Sequence, residues 1–210
     1  MYKILSLDGG GIKGVFGLKI LSRLVQQVPD FLSKIDFIAG TSTGGIQAIA
    51  IASGMSAEEI FKFYTDSLKF IFYDTTWDDI TDMGNLLGAD YSNKNLKKVL
   101  VGKLGTARIK DLKKKLLVPA YDLDVQYQGQ RRWKPKFFNN FQQDDLEELL
   151  VDVAIRTSAA PTYFPTYQGY IDGGLVANSP SLPAIFQVLS SGIPLSEICV
   201  ISLGCGDNAQ

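Results

Sequence analysis

The chain contains no histidine and little cysteine. Histidine is the usual base for a catalytic serine, so its absence from all 210 residues excludes a Ser-His-Asp triad within this chain. The two cysteines, Cys199 and Cys205, are too few for a disulfide framework and wrongly spaced for a zinc site. Such scarcity is typical of a reducing compartment, and we expect a cytoplasmic protein without a metal.

The sequence also has no excess of charge and no long apolar run. Its 21 basic and 22 acidic residues leave a net charge of −1, which does not favour contact with nucleic acid. The longest apolar stretches, such as residues 46–52, are far shorter than the ~20 residues that span a bilayer. The first residues, MYKILSLDGGG, lack the pattern of a signal peptide. Length and composition fit one domain over residues 1–210.

Apolar periodicity predicts strands that alternate with helices. The predicted strands cover residues 3–7, 35–39, 116–122, 134–139, 170–172 and 198–203. The predicted helices cover residues 15–28, 45–52, 56–72, 93–104, 144–157 and 181–190. This order favours an α/β fold, in which a mostly parallel sheet is covered by helices on both faces. Within its strand, Pro119 indicates a bulge or a sheet edge.

A glycine-rich loop, DGGGIKG at residues 8–14, follows the first predicted strand. It matches the dinucleotide-binding pattern G-x-G-x-x-G through Gly9, Gly11 and Gly14. That pattern needs an acidic residue at the end of the second strand, where this chain has Ala39-Gly40. Two other interpretations stay open. The loop is a plain structural turn, or its backbone N–H groups converge on a developing oxyanion.

A second glycine-flanked motif, GTSTG at residues 40–44, follows the second predicted strand. It matches the nucleophile elbow G-x-S-x-G, a strained strand-to-helix turn that exposes a serine hydroxyl, here that of Ser42. Glycine at Gly40 and Gly44 avoids clashes at such a turn, and the N–H of Thr43 would add an oxyanion donor. The same residues also suit an ordinary strand-to-helix connection capped by serine or threonine.

A third motif, Asp172-Gly173-Gly174, ends a short predicted strand. Asp-Gly is a common turn dipeptide, so the motif alone indicates only a turn. Ligands of open α/β sheets bind in the crevice at the carboxyl ends of the strands, where Ser42 is also predicted to lie. In a chain without histidine, Asp172 is therefore the candidate that accepts the serine proton directly.

Four motifs in this order resemble the patatin-like lipid acyl hydrolases, relatives of cytosolic phospholipase A2. They are DGGGIKG at residues 8–14, GTSTGG at 40–45, SAAPTYFP at 158–165 and DGGLVANSP at 172–180. The resemblance covers nearly the whole chain. It implies a three-layer α/β/α sandwich and a Ser–Asp dyad, with Ser42 as nucleophile and Asp172 as base. It further implies oxyanion-hole amides from Gly10, Gly11 and Ile12.

The resemblance implies a lipid acyl hydrolase, a phospholipase A-type serine esterase that cleaves acyl esters of glycerophospholipids without a cofactor. Its partner would be a phospholipid or another acyl lipid, with peripheral contact to a membrane. The alternative from another class is a catalytically silent module that binds lipid or nucleotide through the glycine loop. The long segment at residues 74–92 is predicted to be a mobile lid over an apolar groove, because it carries Trp77, Met83, Leu86 and Leu87.

Overall fold

The computed structural model describes residues 1–73 and 93–206, and these residues build one six-stranded sheet with helices on both faces. The strands are β1 (Tyr2–Leu7), β2 (Phe37–Gly40), β3 (Lys115–Tyr127), β4 (Gln130–Asn139), β5 (Tyr170–Asp172) and β6 (Ile198–Leu203). They lie in the order β4-β3-β2-β1-β6, and β5 pairs with β3. Because β6, β1, β2 and β3 are mutually parallel, the prediction of a mostly parallel sheet is confirmed.

Seven α-helices lie within the described part of the chain. They are α1 (Gly14–Gln27), α2 (Thr43–Ala52), α3 (Ala57–Tyr73), α4 (Asn93–Leu104), α5 (Leu150–Ser158), α6 (Gly174–Ala177) and α7 (Ser181–Ser190). Successive side chains of a strand point to opposite faces, and β1 shows the result. Ile4 packs with residues of α7 on one face, while Leu5 and Leu7 pack with α1 to α5 on the other. The predicted α/β/α sandwich is thereby confirmed.

Helix α2 is the central helix of the larger core. All of its residues are buried, and apolar side chains such as Ile49 and Ile51 surround its axis. A helix that is apolar all round is stable only inside a core. Its first turn starts directly after β2, so the chain reverses sharply at the carboxyl edge of the sheet. That reversal places Ser42 at this edge.

The predicted helix over residues 144–157 is wrong at its start, because α5 begins only at Leu150. Asp145 explains the difference. Its carboxylate is buried, accepts the N–H of Asn139 at 3.1 Å and pairs with Lys136. The segment before α5 therefore forms turns that Asp145 ties to the end of β4, rather than a first helical turn.

The structure places Pro119 at a local edge of the sheet and away from the irregularity of β3. The irregularity in the pairing of β3 lies between Asp122 and Val125, and β3 has neighbours on both sides. Pro119 lies where β3 changes partner, after its last pairing with β2 at Leu117 and before its first with β5 at Ala120. A missing N–H is tolerated at this position because no strand pairs there on that side.

The predicted lid at residues 74–92, with Trp77, Met83, Leu86 and Leu87, lies outside the described residues. Every helix within residues 1–73 and 93–206 is too short or too polar to cross a lipid bilayer.

Candidate active site

Ser42 occupies a strained turn between β2 and α2. Its φ of 55° and ψ of −122° are unfavourable for a residue with a side chain. The flanking glycines permit the turn, since a Cβ on Gly40 would lie 2.1 Å from the carbonyl oxygen of Gly44. A Cβ on Gly44 would likewise lie 2.2 Å from the carbonyl oxygen of Leu7. The backbone thus has the geometry of a nucleophile elbow.

Asp172 lies within hydrogen-bond reach of this serine. Ser42 Oγ donates to Asp172 Oδ2 at 2.7 Å, across 130 positions of the sequence. The other carboxylate oxygen, Oδ1, accepts the N–H of Gly174 at 2.6 Å, which fixes the orientation of the side chain. Next to it, a Cβ on Gly173 would lie 2.2 Å from the carbonyl oxygen of Pro119, so β5 approaches β3 closely at this point. The structure therefore brings Ser42 and Asp172 into direct contact.

The environment of Asp172 raises its pKa above the ordinary carboxyl value. Burial is the largest cause, because only 7% of the residue is exposed and the charged form loses its hydration. The hydrogen bonds from Gly174 and Ser42 oppose the rise, because they stabilise the carboxylate. A carboxylate with a raised pKa is a stronger base than an exposed one.

The glycine loop lies beside Ser42 at the end of β1. A Cβ on Gly9 would lie 3.3 Å from Ser42 Cβ, and the N–H of Gly9 donates to the carbonyl oxygen of Asn178 at 3.0 Å. Some N–H groups here have no acceptor among residues 1–73 and 93–206, namely those of Gly10, Gly11, Ile12 and Thr43. Such unpaired donors next to a serine hydroxyl can bind an anionic oxygen.

Two residues that the sequence did not single out hold these parts together. The N–H of Ser42 donates to Thr157 Oγ1 at 3.0 Å, and that fully buried hydroxyl donates to the carbonyl oxygen of Pro119 at 2.6 Å. Asn178 Nδ2 donates to the carbonyl oxygen of Gly9 at 3.2 Å. Thr157 directly precedes the motif at 158–165, and Asn178 lies inside the motif at 172–180. Their positions next to motif residues were the only signal in the sequence.

The position that a dinucleotide-binding site needs for an acidic side chain is occupied by other residues. Strand β2 ends at Gly40, and Thr41 Oγ1 donates to the carbonyl oxygen of Ala177 at 2.7 Å. Gly14 lies where α1 meets α2, because a Cβ there would lie 2.6 Å from the side chain of Thr43. In the described part of the chain, no cluster of three Cys, Asp or Glu residues is arranged to hold a metal ion.

Comparison with known proteins identifies relatives over almost the whole chain. Protein teg of Priestia megaterium is 35% identical over 98% of this chain and 64% of its own length. The putative sporulation hydrolase CotR of Bacillus subtilis is 34% identical over 98% of this chain and 63% of its own. A cGAMP-activated phospholipase of Escherichia coli is 34% identical over 97% of this chain and 61% of its own. The chain thus spans under two thirds of the length of these relatives.

The fold is shared with a solved structure of low sequence identity. VipD from Legionella pneumophila superimposes with a TM-score of 0.52 at 15% identity, over 96% of this chain and 49% of VipD. The model of the family described as patatin-like phospholipase matches residues 5–185, which include the glycine loop, the elbow and Asp172. Together with the relatives above, this match shows that the chain belongs to the patatin-like phospholipase family.

Proposed function

We propose that the chain is a serine esterase that hydrolyses acyl esters of lipids, with Ser42 as nucleophile and Asp172 as base. The observation that carries this proposal is the 2.7 Å hydrogen bond from Ser42 Oγ to Asp172 Oδ2. A serine hydroxyl becomes nucleophilic when a base within hydrogen-bond reach removes its proton. In a chain without histidine, Asp172 fills that role.

In the first half-reaction, Ser42 Oγ attacks the ester carbonyl carbon and its proton passes to Asp172 Oδ2. The carbonyl oxygen becomes an oxyanion, which the N–H groups of Gly10 and Gly11 stabilise, with Ile12 and Thr43 as further donors. When the carbonyl re-forms, the bond to the alcohol oxygen breaks. The alcohol leaves with the proton that Asp172 held, and the acyl group stays as an ester on Ser42.

In the second half-reaction, a water molecule replaces the alcohol. Asp172 accepts one proton from the water, whose oxygen attacks the acyl carbonyl under the same oxyanion stabilisation. The bond to Ser42 Oγ breaks, and that oxygen recovers the proton from Asp172. The fatty acid is released and the resting hydrogen bond between the two side chains is restored.

The substrates that fit this chemistry are carboxylic esters of lipids, and we propose glycerophospholipids, cleaved by a phospholipase A or lysophospholipase reaction. The family and the phospholipase from Escherichia coli support a lipid substrate. Such a protein would meet its substrate at a membrane surface from the cytoplasm, without nucleic acid as a partner.

A fluorophosphonate probe tests the proposal directly. It reacts with an activated serine, so the wild-type chain should label at Ser42 and Ser42→Ala should not label. Asp172→Asn should label far more slowly, and both variants should lose nearly all hydrolysis of p-nitrophenyl butyrate, a short soluble ester. Because residues of one catalytic unit are non-additive, the double variant should be little worse than either single one.

The catalytically silent binding module gives the opposite result. A chain that binds vesicles or NAD but neither labels nor hydrolyses any ester would contradict the proposed activity. Substantial turnover in Asp172→Asn would contradict the assignment of the base alone. A circular dichroism spectrum like that of the wild type shows that each variant is folded.

A further inference from the structure

A stripe of exposed apolar side chains starts at the glycine loop and continues along α1. Ile12, Phe16 and Ile20 are spaced four positions apart and are 55%, 59% and 52% exposed. Residues at this spacing lie on the same face of a helix. The opposite face of α1 carries Leu18 and Leu21, which are fully buried in the core, so the stripe is not needed for folding.

The charged residues of the segment that carries this stripe are all positive. Residues 9–29 contain Lys13, Lys19 and Arg23 and no aspartate or glutamate, although the whole chain has a net charge of −1. Lys19 and Arg23 are exposed, and Lys19 lies on α1 next to Ile20. A helix with an apolar stripe and basic neighbours is typical of segments that lie on an anionic membrane surface.

The stripe is also continuous with the candidate active site. Ile12 belongs to the short 3-10 turn Gly11–Lys13 that joins the glycine loop to α1. A membrane that touches Ile12 and Phe16 would therefore lie close to the glycine loop, which packs beside Ser42. A lipid could then enter the crevice from a bilayer without its acyl chain crossing water.

A second pair of exposed apolar side chains, on α7, allows a comparison with this stripe. Leu182 and Phe186 on α7 are 63% and 65% exposed and border a groove of about 630 Å³. Helix α7 covers the opposite face of the sheet and carries no charged residue. Nothing there indicates what would cover it, so Phe186 serves as a matched control for Phe16.

We infer that the face formed by Ile12, Phe16 and Ile20, with Lys13, Lys19 and Arg23, docks on an anionic phospholipid bilayer and holds the crevice of Ser42 against it. The inference rests on the proposed function for the choice of a lipid surface. It goes further by assigning the residues that touch the surface and the sign of the lipid charge.

Sedimentation with vesicles tests the surface. Wild-type chain should bind vesicles of phosphatidylcholine with 30% phosphatidylglycerol more tightly than vesicles of phosphatidylcholine alone, and added salt should weaken the binding. The variant Phe16→Ser with Ile20→Ser should bind at least about a hundredfold more weakly, because two apolar side chains no longer leave water. Phe186→Ser should bind like the wild type.

The basic residues are tested separately. Lys19→Gln and Arg23→Gln should each weaken binding to the anionic vesicles about fivefold, the effect of roughly one unit of charge near such a surface. They should change binding to neutral vesicles little. Equal binding of wild type to both kinds of vesicle would overturn the assignment of an anionic surface.

A soluble ester separates this inference from the proposed function. Variants at Phe16 and Ile20 should hydrolyse p-nitrophenyl butyrate like the wild type but lose hydrolysis of vesicle phospholipid. If the chain had no esterase activity but its vesicle binding still depended on these residues, the proposed function would be contradicted. The inferred membrane-binding face would then be retained. Unchanged vesicle binding in the Phe16 and Ile20 variant, or an equal loss in Phe186→Ser, would overturn the surface.

Discussion

Ser42 and Thr157 are joined by a hydrogen bond from a strained backbone to a buried hydroxyl. The N–H of Ser42 donates to Thr157 Oγ1 at 3.0 Å, and the hydroxyl donates in turn to Pro119 at 2.6 Å. Ser42 has a φ of 55°, which persists only where the surroundings fix it. Thr157 therefore links the elbow to β3, the strand on which β5 and Asp172 are also held.

Replacement of Thr157 by valine should impair the proposed reaction without touching the substrate. Valine keeps the shape but leaves the N–H of Ser42 buried without an acceptor, at a cost to stability of about 1–3 kcal/mol. We expect lower kcat on a soluble ester with little change in KM, measured with the melting temperature. Thr157→Ser keeps the hydroxyl and should restore most of kcat. Equal activity in the valine and serine variants would show that the hydrogen bond does not position Ser42.

Gly10 offers a test of the oxyanion donors. A Cβ there would lie 2.5 Å from Cys205 Cβ and 2.8 Å from Cys205 Sγ. Gly10→Ala must therefore displace the loop or Cys205. If the N–H of Gly10 stabilises the oxyanion, we expect kcat to fall by about 10²–10³.

Cys205→Gly supplies the matched rescue for that change. It removes both atoms that an alanine at Gly10 would meet, so the double variant should regain a large part of kcat. Cys205→Gly alone should stay close to the wild type in kcat. A double variant as inactive as Gly10→Ala would mean that displacement by Cys205 is not the cause of the loss.

The pKa of Asp172 sets the acid limit of the proposed activity. Asp172 must be ionised to accept the proton of Ser42, and burial raises its pKa above 3.8 despite the opposing hydrogen bonds. Activity should therefore be lost as the pH falls through that raised value. A pH profile of kcat/KM on a soluble ester, with folding checked at each pH, measures the limb. Constant kcat/KM down to pH 3.8 would contradict Asp172 as the base.

The same pKa has the opposite consequence for stability. A carboxyl group whose pKa is higher in the folded than in the unfolded state binds protons more tightly when folded, so it destabilises the fold once it is ionised. Asp172→Asn removes that charge and should raise the melting temperature at neutral pH while activity is lost. The difference should shrink as the pH falls to 3.8 and below. A lower melting temperature at neutral pH would show that the carboxylate stabilises the fold.

Features that depend on neighbouring residues could be predicted from the sequence better than contacts between distant residues. Strong periodicity predicted most strands and helices. Glycines such as Gly40 and Gly44 mark the elbow because close backbone contacts exclude side chains there. The start of α5 was missed because Asp145, which precedes it, binds Lys136 and Asn139 of β4, a contact without local periodicity.

The supporting contacts of the site were missed for the same physical reason. The hydrogen bond between Ser42 and Thr157 spans 115 positions, and that between Gly9 and Asn178 spans 169. Such pairs leave no pattern in a single sequence, since a threonine in a helix has the same local preferences whether or not its hydroxyl has a distant partner. The catalytic roles of Ser42 and Asp172 remain predictions that the experiments above test.

The distance along the chain between Ser42 and Asp172 also affects how the protein acquires its site. The serine lies with β1, β2 and α2 within the first 52 residues. The carboxylate arrives 130 positions later, on a three-residue strand that pairs with β3. Closing so large a loop is slow compared with forming helices. Recovery of serine reactivity during refolding is therefore a marker of the completed tertiary structure, whereas recovery of helical signal is not.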